Sequence, residues 1–298
     1  MDDRTSPHLN LARRIADLFS PFPNVEAVAL AGSYATGTVD PDSDIDLYVY
    51  ITSVIPLSDR VAIVETLGAT RADLNLQFWD LGGEWVDAET GIEVDVIYWD
   101  TAWIEGQLDR VLLAHQASTG YSTCFWSTVR NSLILYDRDG WLQGLKERSM
   151  QPYPEELRRA IIAKNHPVLR SVIPSYLHQI EMAIKRNDLG SVNHRVAALL
   201  ASYFDVLFAL NRLPNPGEKR LLRIASERCE KIPREMCSQV ERVLRAACLG
   251  DQSLVAEIGK LVVGVLTSAW EWAILEWLLR RAIYQNVLLS MVWGQGDV

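Results

Sequence analysis

The segment LAGSYATGTVDPDSDIDLYV, residues 30–49, decides the fold of this chain. Its start completes VEAVALAG, an apolar run typical of a strand, and its end, DIDLYV, alternates between polar and apolar residues. Between them, Gly32 and Ser33 follow the first predicted strand at a turn that opens a short helix. Free backbone N–H groups at a helix start attract phosphate. The segment therefore predicts a strand, a phosphate-binding turn and a second strand.

Carboxylates on one face of the second predicted strand indicate a cation site. Asp44 and Asp46 share a face, while Ile45 and Leu47 point to the opposite side. Neighbouring carboxylates are costly unless a cation neutralises them, and oxygen ligands favour magnesium. The later alternating run IEVDVI, residues 92–97, contributes Asp95. If the strands pair, Asp95 would lie beside the other two, bind the catalytic ion and help deprotonate an attacking hydroxyl.

This pattern resembles the DNA polymerase beta-like nucleotidyltransferase superfamily. The shared features are a Gly-Ser turn, an Asp-x-Asp strand and a third carboxylate on a later strand, which here are Gly32-Ser33, Asp44-Ile45-Asp46 and Asp95. The chain length and the helical second half further resemble the bacterial aminoglycoside adenylyltransferases and related two-domain proteins. The motif covers residues 30–97, and only the architecture extends the resemblance. Agreement of separate elements with their predicted strand and turn contexts makes the motif specific.

The resemblance implies the chemistry of the carboxylates. It implies that the same three side chains are both catalytic residues and magnesium ligands: Asp44, Asp46 and Asp95. Two magnesium ions would neutralise charge at the α-phosphate of ATP or another NTP, and in-line attack would expel pyrophosphate. Asp95 would also orient the acceptor hydroxyl. A solvated acidic loop running into an edge strand is the simpler alternative for the DSDID segment.

The resemblance also implies which residues bind the nucleotide. Gly32, Ser33 and Ser43 are assigned to the triphosphate. In related enzymes a basic residue from the helical domain commonly reaches the triphosphate, and Lys219 is the candidate here. It follows the interrupted segment NRLPNPGEKR, residues 211–220, at a predicted helix start. A capped loop with a solvated lysine is the alternative interpretation.

Strand patterns stop near the middle of the chain. A chain of 298 residues is long enough for two domains. Pro152 and Pro154 mark the predicted boundary, after which apolar residues recur only at helical spacing. We therefore predict an α+β fold, with a small mixed β-sheet nucleotidyltransferase domain over residues 1–150 followed by an α-helical bundle over residues 151–298.

The two halves of the chain differ in charge. Residues 1–150 carry 23 acidic and 10 basic side chains, a net charge of -13, and residues 151–298 carry 15 and 19, a net charge of +4. An acidic half suits cations and a mildly basic half suits phosphates, although solvated surfaces without a task are the default for scattered charges. The sequence disfavours nucleic acid as a partner, because strong nonspecific binding normally needs a clustered basic face.

The sequence predicts a cytoplasmic protein without a membrane partner. The N-terminus lacks the basic start and apolar run of a secretory signal. The apolar stretch Leu261–Leu279 contains Glu271 and Glu276, which disfavour insertion into a bilayer. The cysteines lack disulfide or zinc spacing and are predicted to be reduced thiols: Cys124, Cys229, Cys237 and Cys248.

The expected activity is transfer of a nucleoside monophosphate, AMP if ATP is the nucleotide, to a hydroxyl of a small-molecule acceptor such as an aminoglycoside-like compound. An acidic surrounding favours an acceptor with amines. Two alternatives stay open, a protein AMPylating enzyme and a non-catalytic nucleotide-binding or toxin-neutralising interaction protein. The sequence does not indicate the oligomeric state.

Overall fold

The computed structural model describes residues 6–32, 43–78 and 80–264. Contacts within the chain define two compact units. The first unit consists of Met1–Gln116 and Thr123–Leu157, and the second consists of Ala117–Ser122 and Arg158–Val298. The division into domains at residues 150 and 151 stays a prediction, because these units are defined by contacts alone.

The first unit contains a six-stranded sheet. Its strands are β1 (Val25–Leu30), β2 (Ile45–Ile51), β3 (Arg71–Leu76), β4 (Gly82–Val86), β5 (Glu93–Asp100) and β6 (Leu133–Asp137). They are ordered β3-β4-β5-β2-β1-β6 across the sheet. β2 and β5 run parallel and all other neighbours run antiparallel. The sheet is therefore mixed, as predicted.

The two faces of this sheet differ in polarity because side chains alternate along each strand. On β2, Ile45, Leu47 and Val49 are buried on one face, whereas Asp46 and Tyr48 are half-buried on the other. The apolar face packs in one core with two helices, α1 (Pro7–Phe19) and α2 (Leu57–Leu67). The opposite face is left for polar and aromatic side chains.

An aromatic cluster covers part of that opposite face. Three further helices of the first unit follow β5 in the chain: α3 (Thr101–Leu112), α4 (Cys124–Asn131) and α5 (Trp141–Ser149). The Trp99 ring lies 4.0 Å from Tyr48 and 5.5 Å from both Trp103 on α3 and Phe125 on α4, measured between ring centroids. The Trp99 Nε1–H group donates to Asp80 Oδ2 at 3.1 Å. These contacts fix α3 and α4 over the sheet next to Asp46.

From Glu155 onward, every described element is a helix. The helices are α6 (Glu155–Arg170), α7 (Tyr176–Lys185), α8 (Leu189–Leu210), α9 (Leu221–Arg228), α10 (Met236–Leu249) and α11, described over residues 252–264. Their apolar faces form a second hydrophobic core around α8. The predicted α+β class, a mixed sheet followed by a helical region, is confirmed. Within the described ranges, no helix has the length and apolarity needed to cross a membrane.

A buried carboxylate ties the segment Ala117–Ser122 into the second unit. Asp205 on α8 is 1% exposed. Both of its carboxylate oxygens accept from the Ser122 backbone N–H at 3.1 Å, and Oδ1 also accepts from Asn215 Nδ2 at 3.0 Å. Asn165 on α6 donates to the Ser118 carbonyl at 2.9 Å and accepts from the Gly120 backbone N–H at 2.8 Å. This network satisfies polar groups that burial would otherwise leave unpaired.

One predicted strand is displaced in the structure. The apolar run LNLQFW predicts a strand over residues 74–79, but β3 spans Arg71–Leu76. β3 lies at the edge of the sheet and is exposed over much of its length. Its sequence therefore has little hydrophobic pattern from which to predict the strand, and its register with β4 depends on backbone pairing. Phe78 is 81% exposed outside the strand. The run EWVDAETGIEVDVIYW, residues 84–99, predicts a hairpin that turns at residues 89–91, and the antiparallel pairing of β4 with β5 confirms it.

Candidate active site

The parallel pairing of β2 with β5 brings two of the predicted carboxylates together. Asp46 and Asp95 are direct register partners. Paired residues on neighbouring strands point to the same face, and the strands lie about 4.8 Å apart. Both side chains are half-buried. The two carboxylates therefore stand side by side on the face of the sheet opposite α1 and α2.

The third predicted carboxylate, Asp44, precedes the first residue of β2. It is half-buried like Asp46, two residues further along. The preceding residue, Ser43, is buried, and its carbonyl oxygen lies 3.0 Å from His8 Nε2, which can donate to it. His8 belongs to α1. A hydrogen bond from the first helix therefore fixes the backbone where the Asp-x-Asp strand begins.

Gly32 lies directly against the Asp46 carboxylate. A Cβ atom built on Gly32 would be 1.6 Å from Asp46 Oδ2 and 2.6 Å from Asp46 Cγ. The backbone of Gly32 has a φ of +59°, and the neighbouring Ala31 N–H donates to the Asp46 carbonyl at 2.9 Å. Both the space and the left-handed φ require glycine here. Gly32, which follows β1, is therefore packed onto the acidic end of β2.

Burial and nearby carboxylates both raise the pKa of Tyr48. Burial raises the pKa of the Tyr48 hydroxyl, and the charges of Asp46 and Asp95 raise it further, with smaller contributions from Cys124 and Asp80. A tyrosine whose pKa is raised remains protonated and neutral at physiological pH. Tyr48 is thus a neutral hydroxyl among carboxylates, two residues beyond Asp46 on the same face.

The acidic row continues beyond the predicted residues. Asp95 pairs with Glu84 on β4, and Glu84 pairs with Asp73 on β3. Directly paired residues share a face, so four neighbouring strands carry a row of carboxylates in the order Asp73, Glu84, Asp95 and Asp46. Asp73 and Glu84 are exposed, and the other two are half-buried. Such a row attracts cations to this face of the sheet.

Comparison with known families identifies this part of the chain. A family model described as "Polymerase beta, Nucleotidyltransferase" matches residues 13–102. The matched range includes Gly32, Asp46 and Asp95. Residues 13–102 are therefore similar to nucleotidyltransferase domains of the polymerase beta type. The predicted resemblance is confirmed at the level of the domain.

Solved structures similar to the chain have low sequence identity. One is a nucleotidyltransferase-like protein from Exiguobacterium sibiricum, with 12% identity, a TM-score of 0.41 and coverage of 88% of this chain and 75% of that chain. The CCA-adding enzyme of Thermotoga maritima, solved with tRNA, has 11% identity, a TM-score of 0.30 and coverage of 89% and 83%. Spectinomycin adenyltransferase AAD(9) from Enterococcus faecialis, solved with ATP and spectinomycin, has 9% identity, a TM-score of 0.28 and coverage of 87% and 98%. A search of the curated proteins finds no match.

The donors of the nucleotidyltransferase domain fit the divalent ion that the family implies. Asp46 and Asp95 offer oxygens from neighbouring strands, and Gly32 packs directly against the Asp46 carboxylate. Magnesium is usually held by one or two carboxylates together with substrate phosphates. Within the described residues, no group of three or more His, Cys, Asp or Glu side chains is arranged to hold a metal by itself. The assignment of two ions to Asp44, Asp46 and Asp95 stays a prediction.

Two of the predicted nucleotide-binding residues do not belong to the described part of the first unit. Ser33 lies outside the described residues. Lys219 belongs to the second unit and is exposed in the turn before α9. The roles of these two residues, and those of Gly32 and Ser43, stay predictions.

Three acidic residues near the site were missed at the level of sequence, Asp73, Asp80 and Glu84. The position of Glu84 beside Asp95 could have been predicted from the hairpin, because a turn centred between Glu89 and Thr90 pairs these two residues. The position of Asp80 could not be predicted from a strand pattern, because Asp80 lies in the loop between β3 and β4. It contacts the site by accepting a hydrogen bond from Trp99. Asp73 was not predicted to lie on a strand, because the predicted strand began one residue after it.

Replacing Gly32 by alanine is expected to lower nucleotidyl transfer about 100-fold, because the new methyl group must displace the Asp46 carboxylate by an ångström or more. Gly91→Ala is the matched control. Gly91 also has a positive φ, +70°, but nothing lies within 4 Å of its added Cβ, so it isolates the cost of backbone strain. Initial rates of pyrophosphate release compare the two variants. Equal losses in both would contradict the packing of Gly32 on Asp46.

Proposed function

We propose that the chain is a magnesium-dependent nucleotidyltransferase that transfers AMP from ATP to a hydroxyl of a small-molecule acceptor. The observation that carries this proposal is the register of Asp46 and Asp95, two half-buried carboxylates side by side in a polymerase beta-type domain. Carboxylates at this spacing repel each other unless a cation lies between them. A bound metal–nucleotide complex would offset this repulsion.

Each of these residues would have a separate role in the reaction. Asp46 and Asp95 would hold magnesium, which supplies neutralisation of the charge that develops on the α-phosphate. Gly32 would let the backbone of the turn approach the phosphates. Asp95 would accept the proton of the acceptor hydroxyl or orient that hydroxyl for in-line attack. Tyr48 is a neutral hydroxyl, as tyrosine ordinarily is at physiological pH, and can donate a hydrogen bond without adding charge.

The acidic row favours an acceptor that carries amines. Glu84 lies beside Asp95 on the side away from Asp46, which is where an acceptor would approach if Asp95 faces its hydroxyl. Glu84 is exposed and can pair with an ammonium group without a large desolvation cost. A compound with both hydroxyls and amines, such as an aminoglycoside, meets these requirements.

Transfer assays test the proposed function. The protein is incubated with α-labelled ATP, with and without magnesium, and with a panel of amine-bearing and amine-free hydroxyl compounds that includes aminoglycosides. We expect magnesium-dependent label transfer to amine-bearing members and pyrophosphate release. Transfer of label to protein substrates alone would support protein AMPylation instead. Tight ATP binding without turnover on any acceptor would support a non-catalytic nucleotide-binding protein.

Glu84→Gln is expected to raise the KM for an amine-bearing acceptor roughly three- to fivefold, the effect of one exposed ion pair, with kcat little changed. Glu65→Gln is the matched control, because Glu65 makes the same charge change on α2, which packs on the opposite face of the sheet. Steady-state kinetics at low salt measure both. A fall in kcat for Glu84→Gln with unchanged KM would contradict a role in acceptor binding.

A further inference from the structure

Strand β3 ends the sheet on one side. Among the described strands it pairs only with β4, so its other edge offers backbone groups for pairing with a further strand. Arg71, Ala72 and Asp73 are all exposed. Beyond them, the Leu74 carbonyl accepts from Arg60 Nη1 at 2.7 Å, which occupies the edge at that residue. The accessible part of the edge is therefore short and centred on Ala72.

An apolar groove runs beside this edge. It has a volume of about 580 Å³ and lies between α2 and β3. Its apolar lining includes Leu57, Val61, Val64, Ala72 and Leu74. Leu57 is 43% exposed, and Val54, just before α2, is 63% exposed. An accessible strand edge and an exposed apolar surface thus occur together on the same side of the first unit.

We propose that this surface binds a second copy of the chain, with β3 pairing antiparallel to the partner's β3 about a two-fold axis at Ala72. The charges of the strand support this partner. With Ala72 on the axis, Arg71 lies opposite the partner's Asp73, and Asp73 lies opposite the partner's Arg71. Opposite charges across an antiparallel pair stabilise it, and like charges destabilise it. The sequence of β3 is therefore complementary to itself in this register.

The register partners of Arg71 and Asp73 on β4 also favour this pairing. Asp73 is the register partner of Glu84, a like charge, and Arg71 is the register partner of Val86, which offers no charge. The partner's Arg71 would offset the repulsion between Asp73 and Glu84. A second copy would thus place an opposite charge beside both Arg71 and Asp73, which their register partners on β4 do not.

The same axis would cover the apolar groove. The two-fold axis of an antiparallel strand pair is perpendicular to the sheet, so both copies of α2 lie on the same face of the joined sheet. Leu57 and Val61 of α2 would then face their counterparts across the axis. Three paired residues per strand are too few for a stable dimer, whose interfaces usually bury about 1,200–2,000 Å² in total. The helix contact is therefore a necessary part of the interface.

Charge exchange tests the proposal. The full chain, Asp73→Arg, Arg71→Asp and the double variant Arg71→Asp/Asp73→Arg are compared by sedimentation equilibrium at low salt. The wild-type chain is expected to dimerise, each single variant to dimerise at least about tenfold more weakly because both pairs become repulsive, and the double variant to recover. A wild-type monomer at all concentrations, or single variants that dimerise like wild type, would overturn the proposal.

A cysteine at the axis gives a second readout. In antiparallel pairs the Cα atoms of facing residues are about 4.5–5.5 Å apart, within the range of disulfides. In a Cys237→Ser/Cys248→Ser background, which removes the exposed thiols, Ala72→Cys is expected to cross-link under mild oxidation. Asp139→Cys, exposed in the turn after β6 at the other end of the sheet, is the control. Equal cross-linking of the two variants, or none at Ala72→Cys, would contradict the axis.

Discussion

Asp46→Asn and Asp95→Asn are each expected to lower the rate of nucleotidyl transfer about 10³-fold, with the fold intact. Asparagine has the shape of aspartate but not its charge, so each variant keeps the packing of the sheet and weakens the pair that would hold magnesium. Because the two residues are register partners and would act on one ion, the double variant is expected to be little worse than either single variant. Pyrophosphate release with saturating ATP and magnesium measures the rates.

The same variants are expected to be at least as stable as the wild-type chain when magnesium is absent. Two half-buried like charges on paired positions repel each other, and removing one relieves that repulsion. Thermal unfolding in EDTA and in magnesium with ATP measures this. The wild-type chain should gain more from magnesium and ATP than either variant does. Asp17→Asn, an exposed position on α1, controls for the change in net charge.

These two readouts distinguish the catalytic interpretation from its alternatives. A non-catalytic nucleotide-binding protein would be stabilised by magnesium and ATP but would show no nucleotidyl transfer even in the wild-type chain. A solvated acidic loop without a metal would show neither the rate loss nor the difference in magnesium-dependent stabilisation. Wild-type rates in both asparagine variants would falsify the proposed role of the Asp46–Asp95 pair.

The elements of the first unit could be predicted because their residues alternate or recur with clear periods. β2 alternates between buried and half-buried residues along DLYV, and the hairpin of β4 and β5 contains its own turn signal. In such segments local sequence and burial agree. The Asp-x-Asp motif was readable for the same reason, since period two fixes which side chains share a face.

The contacts that build the site depend on pairing between distant segments, which sequence periodicity does not specify. β2 and β5 are joined by no turn, so the register that sets Asp46 beside Asp95 follows from the packing of both strands on α1 and α2. The contact of Gly32 with Asp46 likewise requires the pairing of β1 with β2. A pattern can say which face a residue occupies, but the register decides its neighbour.

The second unit shows the same limit in a different form. Helical spacing predicted its helices, yet Asp205 sits in a continuous apolar stretch of α8 and gave no functional or structural signal. Its partners, Ser122 and Asn165, are 83 and 40 residues away in the chain. Buried polar networks are set by tertiary structure, so their members are visible only when the fold brings them together.

Asp205→Ala is expected to destabilise the second unit by about 3–5 kcal/mol, the cost of removing one member of a buried, charged hydrogen-bond network. The substitution leaves the Ser122 N–H and the Asn215 amide without the acceptor they share and opens a cavity beside them. Asp205→Asn retains the volume and one acceptor oxygen, so a smaller loss is expected.

Hydrogen exchange measured by mass spectrometry locates the effect, and urea unfolding followed by circular dichroism gives its size. Peptides that cover residues 117–122 and α8 should lose protection in Asp205→Ala, whereas peptides from β1 and β2 should not, because the sheet belongs to the other unit. Asp188→Ala, which removes an exposed carboxylate bonded to Ser191 at the start of the same helix, should cost much less because water replaces its bonds. Equal losses in the two variants would contradict a structural role for the buried network, since exposure is the main difference between the two carboxylates.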